Sequence, residues 1–160
     1  MMILRLRGAT QAVSQNSKRR MNAKGRRTTT PFLRLPRNVY NSDNFKKLSP
    51  SAVKLLIDIA IQYNGGNNGD MHASLNPMKS RGWKSSSTLN RARQELVYYG
   101  FIELTRQGGL GCCSLYAITW ESIDQCNGKI QVQATKTPSR LFEQVRPKFR
   151  FQNIANRRVA

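Results

Sequence analysis

The chain has 160 residues, about the size of one domain, and its 27 Lys and Arg outnumber 8 Asp and Glu to give a formal net charge of +19. Such an excess becomes favourable beside a polyanion, so nucleic acid is the first candidate partner and an acidic membrane surface is the rival. No apolar run approaches the roughly 20 residues of a spanning helix, which excludes insertion in a bilayer.

The charge is distributed unevenly along the chain. Residues 1–47 hold 12 basic residues and 1 acidic residue, and residues 127–160 hold 8 basic residues and 1 acidic residue. Between them, residues 48–126 hold 7 basic and 6 acidic residues. The nearly neutral, apolar centre can fold, whereas the flanks lack apolar side chains to bury. We therefore expect a basic N-terminal arm over 1–31, a domain over 32–126 and a basic C-terminal arm over 127–160, with both arms largely disordered.

The first predicted helix begins after a clear start signal. Ser49 is a preferred capping residue, and Pro50 occupies the first helical position, where its missing N–H costs nothing. Apolar residues then recur at helical spacing until an Asn-Gly pair, which predicts a helix over 50–63. A turn rich in Gly and Asn follows, and residues 70–73 are predicted to form a short strand.

Serine caps and glycine stops delimit two further helices. Ser74 precedes a predicted helix over 75–81, which a glycine ends. After a short turn, one of the three serines at 85–87 caps a third helix that runs to Tyr99 before another glycine. The two helices are separated by only a few residues, as in a helix-turn-helix.

Two strand-like segments complete the centre of the chain. Residues 101–106 alternate Ile102 and Leu104 against polar residues. Residues 114–120 alternate Tyr116, Ile118 and Trp120 against Leu115, Ala117 and Thr119, and a glycine-rich hairpin at 107–111 connects the two segments. The order predicts an α+β fold, a winged helix-turn-helix with three helices and a two- or three-stranded β-wing. Much of the apolar core is expected from four aromatic residues, Trp83, Phe101, Tyr116 and Trp120.

The third helix carries the strongest functional signal. In a helix-turn-helix the second helix lies in the major groove, where Asn and Gln pair with adenine and Arg with guanine. Leu89, Ala92 and Leu96 share the face expected to pack inward, which leaves polar residues opposite. The alternative is that these residues are helix caps and an ordinary solvated face. The predicted DNA-contacting residues are Lys84, Ser86, Ser87, Asn90, Arg91 and Gln94, with Arg106 and Gln107 in the hairpin. For the two hairpin residues the alternative is an ordinary loop.

Both arms are expected to contact phosphates. In the C-terminal arm, Phe149 and Phe151 alternate with polar residues, a pattern that suits either stacking on bases or, as we favour, a strand docked on the domain. The predicted phosphate-contacting residues are Lys18, Arg19, Arg20, Arg26, Arg27, Lys148 and Arg150.

The residues that metals, cofactors or catalysis would require are sparse. Cys112, Cys113 and Cys126 form no CxxC pair, and His72 is the single histidine, so a zinc site lacks ligands. An odd cysteine count argues against a disulfide framework and for a reducing, intracellular setting. No nucleophile–base set, paired carboxylates or phosphate-binding loop is visible. We expect a protein that is not an enzyme and uses no cofactor.

The sequence from Phe32 to Asp124 resembles the helix-turn-helix proteins of phages, plasmids and other mobile elements, which are akin to the winged-helix N-terminal domains of replication initiators. The residues that carry the resemblance are YNGGNNGD, then GW, TLNRARQEL and GFI. It covers about 93 of the 160 residues. The resemblance implies DNA binding by the helix at 86–94 and leaves open whether the role is replication or repression.

Three functions follow from these patterns. The leading prediction is a double-stranded DNA-binding protein of a mobile element, a transcriptional regulator or replication factor, cytoplasmic in a bacterial or phage-infected cell and possibly homodimeric. The second is a binder of DNA or RNA without sequence preference, for which the arms would suffice. The third is a winged-helix module that contacts another protein. No small-molecule substrate is indicated.

Overall fold

A computed structural model describes residues 32–151, which form an α+β unit of four α-helices and a three-stranded antiparallel sheet. The sheet order is β1-β3-β2, so the last strand in the chain is the central one. The elements are α1 (Arg37–Tyr40), α2 (Pro50–Ala60), β1 (Met71–His72), α3 (Leu75–Lys79), α4 (Ser86–Tyr98), β2 (Ile102–Arg106) and β3 (Leu115–Ile118). Helices α2 to α4 and all three strands lie where the sequence predicts them, whereas α1 is an additional helix that the sequence pattern does not indicate.

The ends of α2 follow from local hydrogen bonds. Ser49 caps the helix, because its Oγ accepts from the backbone N–H of Ala52. The predicted end at residue 63 is wrong by three residues, since the helix stops at Ala60. The N–H of Ile61 still bonds to a carbonyl four residues back, but those of Gln62 and Tyr63 bond three residues back, which tightens the chain into a turn.

The expected alternation in β2 is interrupted by a bulge. Leu104 pairs with Tyr116, but the register shifts so that Arg106 pairs with the next residue of β3. Leu104 is 41 % exposed, although its pairing with Tyr116 is in regular register with that of Ile102. Thr105, at the bulge, is buried, and its hydroxyl donates to the carbonyl of Gly69. In β3 the alternation does not separate a buried side from an exposed one, because every residue of this central strand is buried.

The core lies between α2, α4 and the sheet. Three aliphatic residues of α2, together with Leu89 and Leu96 of α4, are almost inaccessible to solvent. The four aromatic residues expected to fill the core do so, with exposures of 7 % or less: Trp83, Phe101, Tyr116 and Trp120. Within residues 32–151 no helix combines the length and apolar character needed to cross a membrane.

The C-terminal segment, defined here as residues 141–151, packs on this core rather than extending from it as an arm. Phe142 is 1 % exposed and stacks on Phe101 with ring centroids 6.0 Å apart. Gly100 permits the approach: it has φ +75°, and a Cβ there would lie 2.6 Å from the carbonyl carbon of Leu141. The expectation of an unfolded arm from residue 127 is therefore wrong for this segment, because Phe142 has an apolar site to fill.

The segment that contains Phe149 and Phe151 agrees only in part with the expected docked strand. Phe149 packs against the core, as favoured, but residues 149–151 form no strand. The arm positions Lys18, Arg19, Arg20, Arg26 and Arg27 lie outside the described residues, as do residues 152–160.

Candidate nucleic-acid interface

A buried carboxylate holds α4 against the start of α2. Glu95, 5 % exposed, accepts hydrogen bonds from the backbone N–H of Ser49 at 2.6 Å and from its hydroxyl at 2.7 Å. Glu95 is the only acidic residue among the 13 of α4. Because it points inward, the solvent-facing side of α4 carries no negative charge.

That solvent-facing side holds four of the predicted DNA-contacting residues. Ser87 and Arg91 are exposed, and Asn90 and Gln94 are half-buried. Apart from the adjacent Asn90 and Arg91, they lie three, four or seven residues apart, so successive turns bring them onto one side of the helix. The buried residues of α4, on the other side, are Leu89, Ala92, Glu95 and Leu96.

Trp83 fixes the turn that precedes α4. Its indole N–H donates to the Asp58 carboxylate on α2 at 2.8 Å. Lys54 lies over the Trp83 ring, with its Nζ 5.0 Å from the ring centroid, and also bonds to Asp58 at 2.6 Å. The turn between α3 and α4 is thus tied to α2, while the next residue, Lys84, remains exposed.

The first turn of α4 presents hydroxyl groups and backbone N–H groups. Ser85 caps the helix by accepting from the Thr88 N–H, and its hydroxyl shares a hydrogen bond with that of Ser87 at 2.8 Å. Ser86 is exposed beside them. A helix N-terminus with hydroxyls is an arrangement that suits an anionic oxygen.

A cleft of about 420 Å³ borders the exposed side of α4. Arg93 and Asn90 line it from α4, and the Arg93 guanidinium donates to the Asn90 side-chain oxygen. The opposite wall is formed by Ala73 and Ser74, which precede α3, and by Leu75, its first residue. Arg93 is absent from the residues predicted to contact DNA, although its spacing of three from Asn90 places the two side by side.

The two hairpin candidates are engaged within the protein. Arg106 donates from its terminal nitrogens to the carbonyls of Cys113 at 3.1 Å and Lys129 at 3.3 Å. The backbone N–H of Gln107 donates to the side-chain oxygen of Gln131. Arg106 therefore stabilises the base of the hairpin through these hydrogen bonds and is not part of the α4 surface.

The C-terminal segment runs beside α4. Phe149 contacts Tyr98, with ring centroids 5.4 Å apart, and the Arg146 guanidinium lies 5.6 Å from the centre of the same Tyr98 ring. Lys148 and Arg150 belong to this segment, and both are exposed. The sequence does not indicate their position next to α4, because the contacts that create it join residues about fifty positions apart.

The three cysteines occupy different environments. Cys112 and Cys113 are exposed at the hairpin, whereas Cys126 is half-buried. Burial raises the pKa of the Cys126 thiol, and the nearby carboxylates of Asp70 and Asp124 raise it further. In the described part of the chain, no group of three or more His, Cys, Asp and Glu is placed to hold a metal ion.

No family model, curated protein or solved structure matches this chain. The surface around α4 is therefore interpreted from its own chemistry. It combines hydroxyl, amide and guanidinium groups from α4 with the cations of the C-terminal segment. Negative charge is absent from the exposed side of α4, and this limits the partners it suits to neutral or anionic ones.

Proposed function

We propose that the protein binds double-stranded DNA as a winged helix-turn-helix, with α4 in the major groove. The observation that carries the proposal is the exposed side of α4. It offers Ser87, Asn90, Arg91 and Gln94, the residue types that read base edges, and the helix's one carboxylate is buried against Ser49. A negative charge on that side would be repelled by phosphates.

The arrangement of elements supports the winged-helix interpretation. Helices α3 and α4 are separated by a short turn that Trp83 anchors, and β2 and β3 form a hairpin directly after α4. Strand β1, before α3, completes the sheet by pairing with β3. This is the order of a helix-turn-helix followed by a β-wing, in which α4 is the recognition helix.

Charge outside α4 supplies the affinity in this proposal. Residues 1–47 carry 12 basic residues and 1 acidic residue, and Lys148 and Arg150 add cations beside α4. Phosphate contacts of this kind strengthen binding to any sequence, whereas base contacts discriminate among sequences. We therefore assign affinity to the basic segments and sequence preference to α4.

The biological role we propose is that of a regulator or replication factor of a mobile element. It rests on the resemblance of the segment Phe32 to Asp124 and on the DNA-reading residues of α4. The proposed function requires no catalysis and no cofactor, and its partner is DNA.

Selection of bound sequences from a random duplex pool tests the proposal. We expect enrichment of a site a few base pairs long, because one recognition helix reads few base pairs. An enriched palindrome would identify a homodimer, and a single half-site a monomer. The absence of any enrichment would contradict sequence reading by α4.

A second candidate, nucleic-acid binding without sequence preference, is favoured by the charge of the basic segments alone. It predicts equal affinity for all duplexes of one length, with strong salt dependence. The same selection separates it from the first candidate, since it predicts a pool that stays random.

A further inference from the structure

The C-terminal segment is latched to the domain by one buried side chain. Asn44, 1 % exposed, donates from its side-chain amide to the carbonyls of Phe142 at 2.9 Å and Gln144 at 2.7 Å. Its side-chain oxygen accepts from the backbone N–H of Arg146 at 3.1 Å. Asn44 thus fixes the backbone at every second residue from Phe142 to Arg146, and these bonds set the path of the chain that follows.

From this latch the segment runs along α4 toward its N-terminal end. The backbone N–H of Phe149 donates to the hydroxyl of Tyr99 at 2.9 Å, and its ring contacts Tyr98. Phe151 then reaches Arg91, whose guanidinium carbon is 5.8 Å from the ring centre. Arg91 and Tyr98 are seven residues apart, or two helical turns, so the segment follows one side of α4.

Within residues 32–151 the Arg91 guanidinium contacts the Phe151 ring and makes no hydrogen bond or ion pair. A free arginine side chain loses rotamer freedom when it binds, and that loss weakens binding. A ring beside the guanidinium restricts it by a cation–π contact, which uses none of its N–H donors, so these remain able to bond to a base edge.

We propose that Phe151 is a positioning residue for Arg91, and that the C-terminal segment thereby contributes to sequence specificity. This inference rests on the proposed function, in which Arg91 reads a base edge. It assigns the segment two roles: Lys148 and Arg150 contact phosphates of any sequence, and Phe151 acts through Arg91 on the preferred sequence alone.

The test is a double-mutant cycle of Phe151 and Arg91. Each variant is measured by its specificity ratio, which is its affinity for the selected duplex divided by its affinity for a scrambled one. We expect Phe151→Ala to lower the ratio about two- to fivefold, the size of an exposed cation–π contact. Phe151→Trp should retain the ratio, because a larger ring preserves the contact. Phe32→Ala, at an aromatic residue 69 % exposed, is the matched control and should leave the ratio unchanged.

In the Arg91→Ala background, Phe151→Ala should produce no further decrease in the ratio. An equal decrease in both backgrounds would overturn the inference, as would a gain in affinity on Phe151→Ala, which would show that the ring shields Arg91 from DNA. If Arg91→Ala lowers the ratio and Phe151→Ala does not, only this inference fails. If Arg91→Ala leaves the ratio unchanged, the proposed reading by α4 fails with it.

Discussion

The carboxylate of Glu95 receives both hydrogen bonds that Ser49 can donate, from its backbone N–H at 2.6 Å and from its hydroxyl at 2.7 Å. The same Ser49 hydroxyl oxygen caps α2. One residue pair therefore fixes the start of α2, positions α4 beside it and removes the only negative charge of α4 from solvent.

Replacing Glu95 tests how much this pair stabilises the fold. Glu95→Ala should lower the free energy of unfolding by about 2–3 kcal/mol, because two donors of Ser49 lose a charged acceptor. Glu95→Gln should cost less, since the amide oxygen can still accept. Denaturant unfolding measures both, with Glu121→Ala as a control expected to stay within about 0.5 kcal/mol of the parent protein. A Glu95→Ala protein as stable as the control would contradict the assignment.

Truncating Phe142 tests whether the C-terminal segment belongs to the core. Phe142→Ala should lower the free energy of unfolding by about 3–5 kcal/mol, the range for a buried phenylalanine. Val145→Ala, three residues later and 69 % exposed, is the control and should have little effect. Thermal or denaturant unfolding gives the comparison, and similar values for the two variants would show that the segment is not part of the folded unit.

Cysteine reactivity should follow exposure and pKa. Cys112 and Cys113 are exposed, whereas the pKa of the half-buried Cys126 thiol is raised, which keeps Cys126 protonated and less nucleophilic. We expect iodoacetamide at neutral pH to label the first two well before Cys126, as followed by mass spectrometry of the native protein. Labelling of all three at one rate would contradict this environment for Cys126. We also expect a chelator or a reductant to leave the melting temperature unchanged.

The salt dependence of DNA binding should depend on the N-terminal residues. Deleting residues 1–31 removes eight basic residues and no acidic one. The slope of log affinity against log salt should become less negative by about 0.9 for each phosphate that the shortened protein no longer neutralises, while the sequence preference persists. The phosphate contacts of the C-terminal segment are tested by combining Lys148→Ala with Arg150→Ala. Deleting the segment would not serve, because it would also remove the buried Phe142. An unchanged slope after the N-terminal deletion would contradict a phosphate-binding role.

The elements that the sequence predicts well are those specified by neighbouring residues. Helices α2 and α4 each have a serine cap and a periodic apolar side, and both signals lie within a few residues. The exposed side of α4 follows from the same periodicity. The placement of Asn90, Arg91 and Gln94 opposite the buried side of α4 can therefore be predicted from the sequence alone.

The features that the sequence does not reveal depend on distant partners. Phe142 is a single aromatic residue in a polar segment, and its carbonyl bonds to Asn44, 98 positions earlier. The guanidinium of Arg106 is held by two backbone carbonyls, and a carbonyl leaves no trace in the identity of its residue. Thr105 is buried at a bulge of β2, and no Gly or Pro in the strand signals that bulge.

Competition binding by Arg91→Ala, on the selected duplex and on a scrambled one at fixed salt, tests the central claim most directly. Arg37→Ala, which removes an exposed arginine from α1, is the matched control, and circular dichroism confirms that both variants fold. We expect Arg91→Ala to lose about 1–3 kcal/mol of binding free energy on the selected duplex and much less on the scrambled one. Arg37→Ala should affect the two duplexes alike. Equal losses on both duplexes for a folded Arg91→Ala protein would contradict the claim that α4 reads the DNA sequence.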